Sequence, residues 1–217
     1  MRTPLMLLIA FAGTVADAGP WTQDSGAGFL SFGTLVRETD ANVDADPVVF
    51  VEYGWSEELT LGADAFRDTQ SNLWAASVFA VVPFGQKDGD QRTSATLGFG
   101  LVDEQDETVK PTIRAGLSWG RGLQTGWLAV DASATYLPQE QAARPKLDMT
   151  WGRNWTDQIS TILQVQAGQG FDGERYANLA PSVVYRFENE TAVNVGLVAP
   201  VQDTGSVGIK IESWINF

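Results

Sequence analysis

The chain contains no histidine and no cysteine, so the side chains left to do chemistry are carboxylates, cations, amides and hydroxyls. One set recurs at alternate positions of segments whose other parity is apolar: Glu52, Asp64, Arg114, Asp131, Asp148, Gln164, Gln166, Asn178, Asn194, Lys210 and Glu212. Successive side chains of an extended strand point to opposite faces. These residues should therefore share one internal surface. Without imidazole the usual proton acceptor at neutral pH is missing, and without thiol there is neither a cysteine nucleophile nor a thiolate metal site. Carboxylates suit hard cations, but none here has the spacing of a calcium loop. No catalytic, cofactor-binding or metal-binding residue is assigned, and the chain is expected not to be an enzyme.

What remains is charge and hydrogen bonding along a lumen. The candidate lumen-lining residues are Glu52, Asp64, Arg114, Asp131, Asp148, Gln164, Lys210 and Glu212. They would either brace an interior as a satisfied network or line a water-filled path and set its selectivity. Five acids against Arg114 and Lys210 leave an acidic excess, which predicts a mild preference for cations if a pore exists. Arg114 and Asp131 lie nearly equidistant from a turn near Gly122, which predicts a cross-strand ion pair between them.

The elements that would hold this set are strands. Twelve are predicted, near 26–37, 46–56, 58–67, 72–84, 92–102, 110–120, 124–137, 145–153, 157–169, 176–187, 190–200 and 205–217. Leu59, Leu61, Ala63 and Ala65 alternate with Thr60, Gly62 and Asp64, and Ile113, Ala115, Leu117 and Trp119 with Arg114, Gly116 and Ser118. The stretch 72–84 is apolar on both parities, as expected where a lumen is packed with side chains. In the last segment Val207, Ile209, Ile211, Ile215 and Phe217 share a face opposite Lys210 and Glu212.

Strands can cross a bilayer only as a closed barrel, since open edges would leave amides unpaired in hydrocarbon. A soluble sandwich should carry polar outer faces, whereas this alternation runs nearly the whole length. An even strand count puts both termini in the periplasm. The connections at 56–57, 85–91, 121–123, 154–156 and 188–189 then lie on that side. Trp55, Phe84, Trp119, Trp127, Trp151, Trp155, Phe187 and Phe217 would form its interfacial aromatic girdle. The opposite connections are short and several are acidic, with Glu38, Asp40 and Asp44 in one and Asp103, Glu104, Asp106 and Glu107 in another. None is long enough to form a large plug.

Residues 1–18 read as a signal peptide: Arg2, an apolar run of about 12 residues (short of the roughly 20 of a membrane helix), then Ala16-Asp17-Ala18 as cleavage site. Residues 19–217 would be the barrel. Removing the leader takes away Arg2 and Asp17 together, so the net charge stays at −13. Such a chain is a poor partner for nucleic acid. The missing cysteines fit an exported protein without disulfides.

These features together resemble small outer-membrane β-barrel proteins of Gram-negative bacteria. Trp214-Ile-Asn-Phe217 resembles their C-terminal insertion signal, with Trp214 and Phe217 as its aromatic residues. The segment Gly19-Pro20-Trp21-Thr22, followed by Gly26-Ala-Gly28-Phe29, is similar to a group of barrels that start with Gly-Pro-Trp. The hairpin Tyr53-Gly54-Trp55-Ser-Glu-Glu-Leu59-Thr-Leu61 resembles those of barrels linked to uptake of aromatic compounds. The resemblance implies an outer-membrane location, contact with lipid and lipopolysaccharide, and insertion by the barrel-assembly machinery. It implies a passive or weakly selective channel for small solutes, or alternatively a closed structural or surface-accessory barrel serving envelope integrity or surface polysaccharide. Phospholipase members are disfavoured by the missing histidine, and acidic-sugar channels by the acidic excess. The oligomeric state stays open.

Overall fold

The computed structural model describes residues 19–38, 43–85, 89–103, 108–201 and 206–217. The expected signal segment 1–18 and the loop acids Asp40, Glu104, Asp106 and Glu107 lie outside these. The twelve strands are β1 (Gly28–Glu38), β2 (Val43–Ser56), β3 (Leu59–Asp68), β4 (Leu73–Phe84), β5 (Gln91–Asp103), β6 (Val109–Leu123), β7 (Gly126–Leu137), β8 (Ala142–Asn154), β9 (Ile159–Gln169), β10 (Arg175–Arg186), β11 (Thr191–Pro200) and β12 (Gly208–Asn216). Each pairs antiparallel with its sequence neighbours. β1 closes the barrel on β12, with Leu35 opposite Lys210 and Phe29 opposite Asn216. Closure leaves no free edge, so every strand has a ladder on both sides.

The alternation becomes an inside and an outside. Val78, Leu97, Phe99, Leu117, Met149, Val183, Leu197, Ile209 and Ile211 all point outward and are exposed. Withdrawing such a side chain fully from water is worth about 1.5–3 kcal/mol, and no soluble monomer leaves a belt of this extent in water. The barrel therefore spans a membrane. Trp55, Phe84, Trp151, Trp155, Phe187 and Phe217 are exposed towards the end that carries Gly28 and Phe217, where the girdle is expected. Trp127 is not among them. It pairs with Gly152 across β7 and β8 and is only 2% exposed, with its ring laid inside the barrel on the bare glycine. Its parity with Asp131 required this, because residues four apart on a strand share a face.

The inner wall is uneven. On β5 and β6 it is built from Ser94, Thr96, Gly98, Gly100, Thr112, Gly116, Ser118 and Gly120, which leave room for larger side chains elsewhere. β4 fills part of it with Leu73, Ala75, Phe79 and Val81, all buried, as its two-sided apolar sequence predicts. Phe79 lies over Gly62, its register partner on β3, so two wide rings, Phe79 and Trp127, each rest on a glycine of the neighbouring strand. Such pairs cover the backbone that glycine would leave bare.

Candidate functional site: the lumen

Register places Glu52, Asp64, Arg114, Asp131, Asp148, Gln164, Lys210 and Glu212 on the inner face, along with Gln166, Asn178 and Asn194. Their partners are decided by the barrel as a whole. Arg114 does not pair with Asp131: its register partner on β7 is Thr135, and Asp131 sits opposite Ser118. The Arg114 guanidinium instead crosses over β5, where Gly98 has no side chain, and over β4 to reach Asp64 on β3 at 2.6 Å. On the way it lies 5.0 Å from the centre of the Phe79 ring. Ser77 donates to the other Asp64 oxygen at 2.7 Å. The hairpin geometry that suggested Asp131 mistook the turn centre: β6 and β7 meet at the two-residue turn Gln124-Thr125, which moves the partner of Arg114 by four residues.

A second polar group lies on β7 to β9. Lys146 binds Asp148 at 2.7 Å, and Asp148 faces Asp131 directly across the β7–β8 ladder. Gln166 donates to Gln164 at 2.7 Å, and Gln164 to Thr150 at 3.2 Å. A third group surrounds Glu212, one of whose oxygens accepts from Asn194 at 2.9 Å and Trp214 at 3.3 Å, with Lys210 at 3.4 Å. Trp214 thus points into the barrel and only Phe217 of the insertion pair faces out. Asp131, Asp148 and Asn194 each keep a buried side-chain oxygen without a protein hydrogen-bond partner. Buried polar atoms ordinarily find one, from protein or water.

The acidic excess disappears once the inner face is complete. Register adds Asp44, Asp46 and Asp68 to the acids and Arg37, Arg92, Lys110, Arg144, Lys146 and Arg186 to the bases, so among the described strand residues the two signs are equal in number. Lys146 was legible from its parity with Asp148. Lys110, Asp68 and Arg144 share the parity of Arg114, Asp64 and Asp148 on the same strands and were legible in the same way.

Both openings are narrowed. At the end opposite Phe217, Phe171, from the connection between β9 and β10, packs against Leu73, Ala75, Val102 and Leu137 and stacks with Phe66, ring centres 6.2 Å apart. Arg144 holds the Phe171 carbonyl and the Glu140 carboxylate. So a short connection does reach over the lumen, with one side chain.

At the end with Phe217 the segment before β1 turns inward. Gly19 and Pro20 are buried, and Trp21 packs on a cluster of Phe29, Trp127, Ile162, Val184, Ala192 and Trp214. Ser94 donates to the Gly19 carbonyl at 3.1 Å. The Gln23 amide N–H donates to Thr60 Oγ1 at 3.0 Å, and its side chain to Glu52 at 3.2 Å. Sequence reasoning missed this inward turn. The signals were the bare Gly120 under Pro20 and Trp21, and Gly54 under the Asp24 carbonyl, neither recognisable before the contacts are known.

No protein-family model matches the chain, and no curated protein sequence is significantly similar to it. Solved structures are similar in fold. KdgM porin superimposes with a TM-score of 0.63 at 9% identity, over 86% of this chain and 99% of that one. An outer membrane channel from Pseudomonas putida F1 gives 0.64 at 9%, over 94% and 100%. Outer membrane phospholipase A from Escherichia coli gives 0.51 at 8%, over 88% and 92%. At these identities the likeness is one of fold. It is the fold of bacterial outer-membrane β-barrels, and the apolar outer face suits the chain to that membrane.

Proposed function

We propose that this barrel is a passive, weakly selective outer-membrane channel for small solutes and performs no covalent chemistry. The observation that carries the reading is the polar middle of the lumen. Arg114–Asp64, Lys146–Asp148 and the Gln164–Gln166 amides occupy positions where a barrel meant only to be solid could carry apolar side chains at less desolvation cost. Paired charges of both signs give such a path little net field, so small neutral or zwitterionic solutes suit it better than multiply charged ones. The fold is shared with KdgM porin, one structure of which holds a disordered oligogalacturonate, and the balanced lumen here argues for a different cargo.

The second reading is a closed structural or surface-accessory barrel, and the apolar clusters at both openings favour it. Planar-bilayer recording of the refolded, heat-modifiable protein separates the two. Discrete openings with a reversal potential near zero in a salt gradient are expected for the channel. Silence of the folded barrel, even after residues 20–24 are deleted, would overturn it.

A further inference from the structure

We propose that residues 19–24 form a displaceable plug, a built-in gate on the periplasmic opening; this rests on the channel reading and adds how the path is closed. The segment has no ladder of its own. Among the described residues it is held by three side-chain hydrogen bonds, from Ser94, to Thr60 and to Glu52, by the packing of Trp21, and at its end by the Ala27 N–H on the Asp24 carbonyl at 3.0 Å.

The wall behind it is the informative part. Glu52 is 2% exposed, and Thr60 and Ser94 are fully buried, each against the segment. Burying polar groups costs free energy unless every partner is supplied. Trp21 rests on an apolar part of this wall, as a permanent filling would, but Glu52, Thr60 and Ser94 form a polar part that suits a surface wet in one state and covered in another. When the segment leaves, Glu52, Thr60 and Ser94 return to water and recover their hydration.

The hinge is local. Gly26 has φ +85° with open space where a side chain would stand. Its N–H bonds to the Gly54 carbonyl at 2.8 Å, and the Gly54 N–H to the Ala27 carbonyl at 2.9 Å. The sheet thus grips the chain from residue 26 onward. Residues 19–24 can swing about that point without disturbing β1. Gly120 sets the depth of insertion, because a Cβ there would overlap both Pro20 and the Trp21 ring.

The chain has no native cysteine, so an introduced pair reports cleanly. The full chain carrying Gln23→Cys and Thr60→Cys is refolded, checked for heat-modifiability on a gel, and recorded in planar bilayers oxidised and then reduced. The expected result is a several-fold lower open probability when oxidised, restored by reductant. A companion variant lacking residues 20–24 should be open most of the time. Equal conductance in the oxidised, reduced and deleted forms would overturn the gate while leaving the channel intact. Silence of all three, with the fold verified, would overturn the channel and the gate together.

Discussion

Arg114 on β6 and Asp64 on β3, fifty positions apart in sequence, meet at 2.6 Å inside the barrel across two intervening strands, past Gly98 of β5 and the Phe79 ring of β4. A side chain at 98 would stand 3.7 Å from Arg114 Nε and 3.0 Å from the Phe79 Cβ. The ion pair thus crosses this section of the lumen between a bare glycine and an aromatic ring.

Arg114→Ala should widen this section and remove a positive charge from it. Conductance should rise and the reversal potential should shift towards cations. Because both partners keep about a quarter of their surface exposed, the loss of stability should be only about 1 kcal/mol, measured as a shift in the urea midpoint. An unchanged conductance together with an unchanged midpoint would remove this residue from any lumenal role.

Lys146→Glu tests the balance of lumenal charge. The wild-type inner face has equal numbers of both signs among the described strand residues, and the substitution sets a third carboxylate beside Asp148 and Asp131. The reversal potential in a KCl gradient should move clearly to the cation side, further than for Arg114→Ala. A value that stays near zero would mean that the ion path avoids β8.

Trp127→Ala separates an interior tryptophan from an interfacial one. Losing a ring that is 2% exposed should cost about 3–5 kcal/mol. Trp55→Ala, at the 66% exposed girdle position, should cost much less in detergent. Comparable midpoints for the two would contradict the inward placement of Trp127. Gly152→Val should approach the Trp127 penalty from the other side, by about 1–3 kcal/mol of overpacking beneath the ring.

The turn between β4 and β5 offers a titration. Arg121 lies 2.7 Å from Asp90, and this hydrogen bond holds the Asp90 carboxyl below the usual carboxylate range. A depressed folded-state value makes the contribution of the pair present above the unfolded pKa and lost as pH falls through the folded one. Both groups are half exposed, so the effect on stability is small and NMR titration is the suitable readout. Arg121→Gln should return the Asp90 midpoint towards that of a free aspartate, and no movement would show that the pair does not persist in solution.

Sequence by itself determined what alternation determines: twelve strands, an apolar outside and a polar inside, because the direction of each side chain is a local property of extended backbone. The same parity already held Trp127 with Asp131, and Trp214 with Lys210 and Glu212. The girdle expectation outweighed it for Trp127, and the rest of the chain followed the pattern. Tertiary structure alone decided which charges meet across strands. Asp64 reaches Arg114 across β4 and β5, and residues 19–24 enter the opening between Ser94, Thr60 and Glu52. Those contacts span several strands. Their distances depend on how the closed sheet staggers its strands and on where glycines leave room, which no single segment encodes.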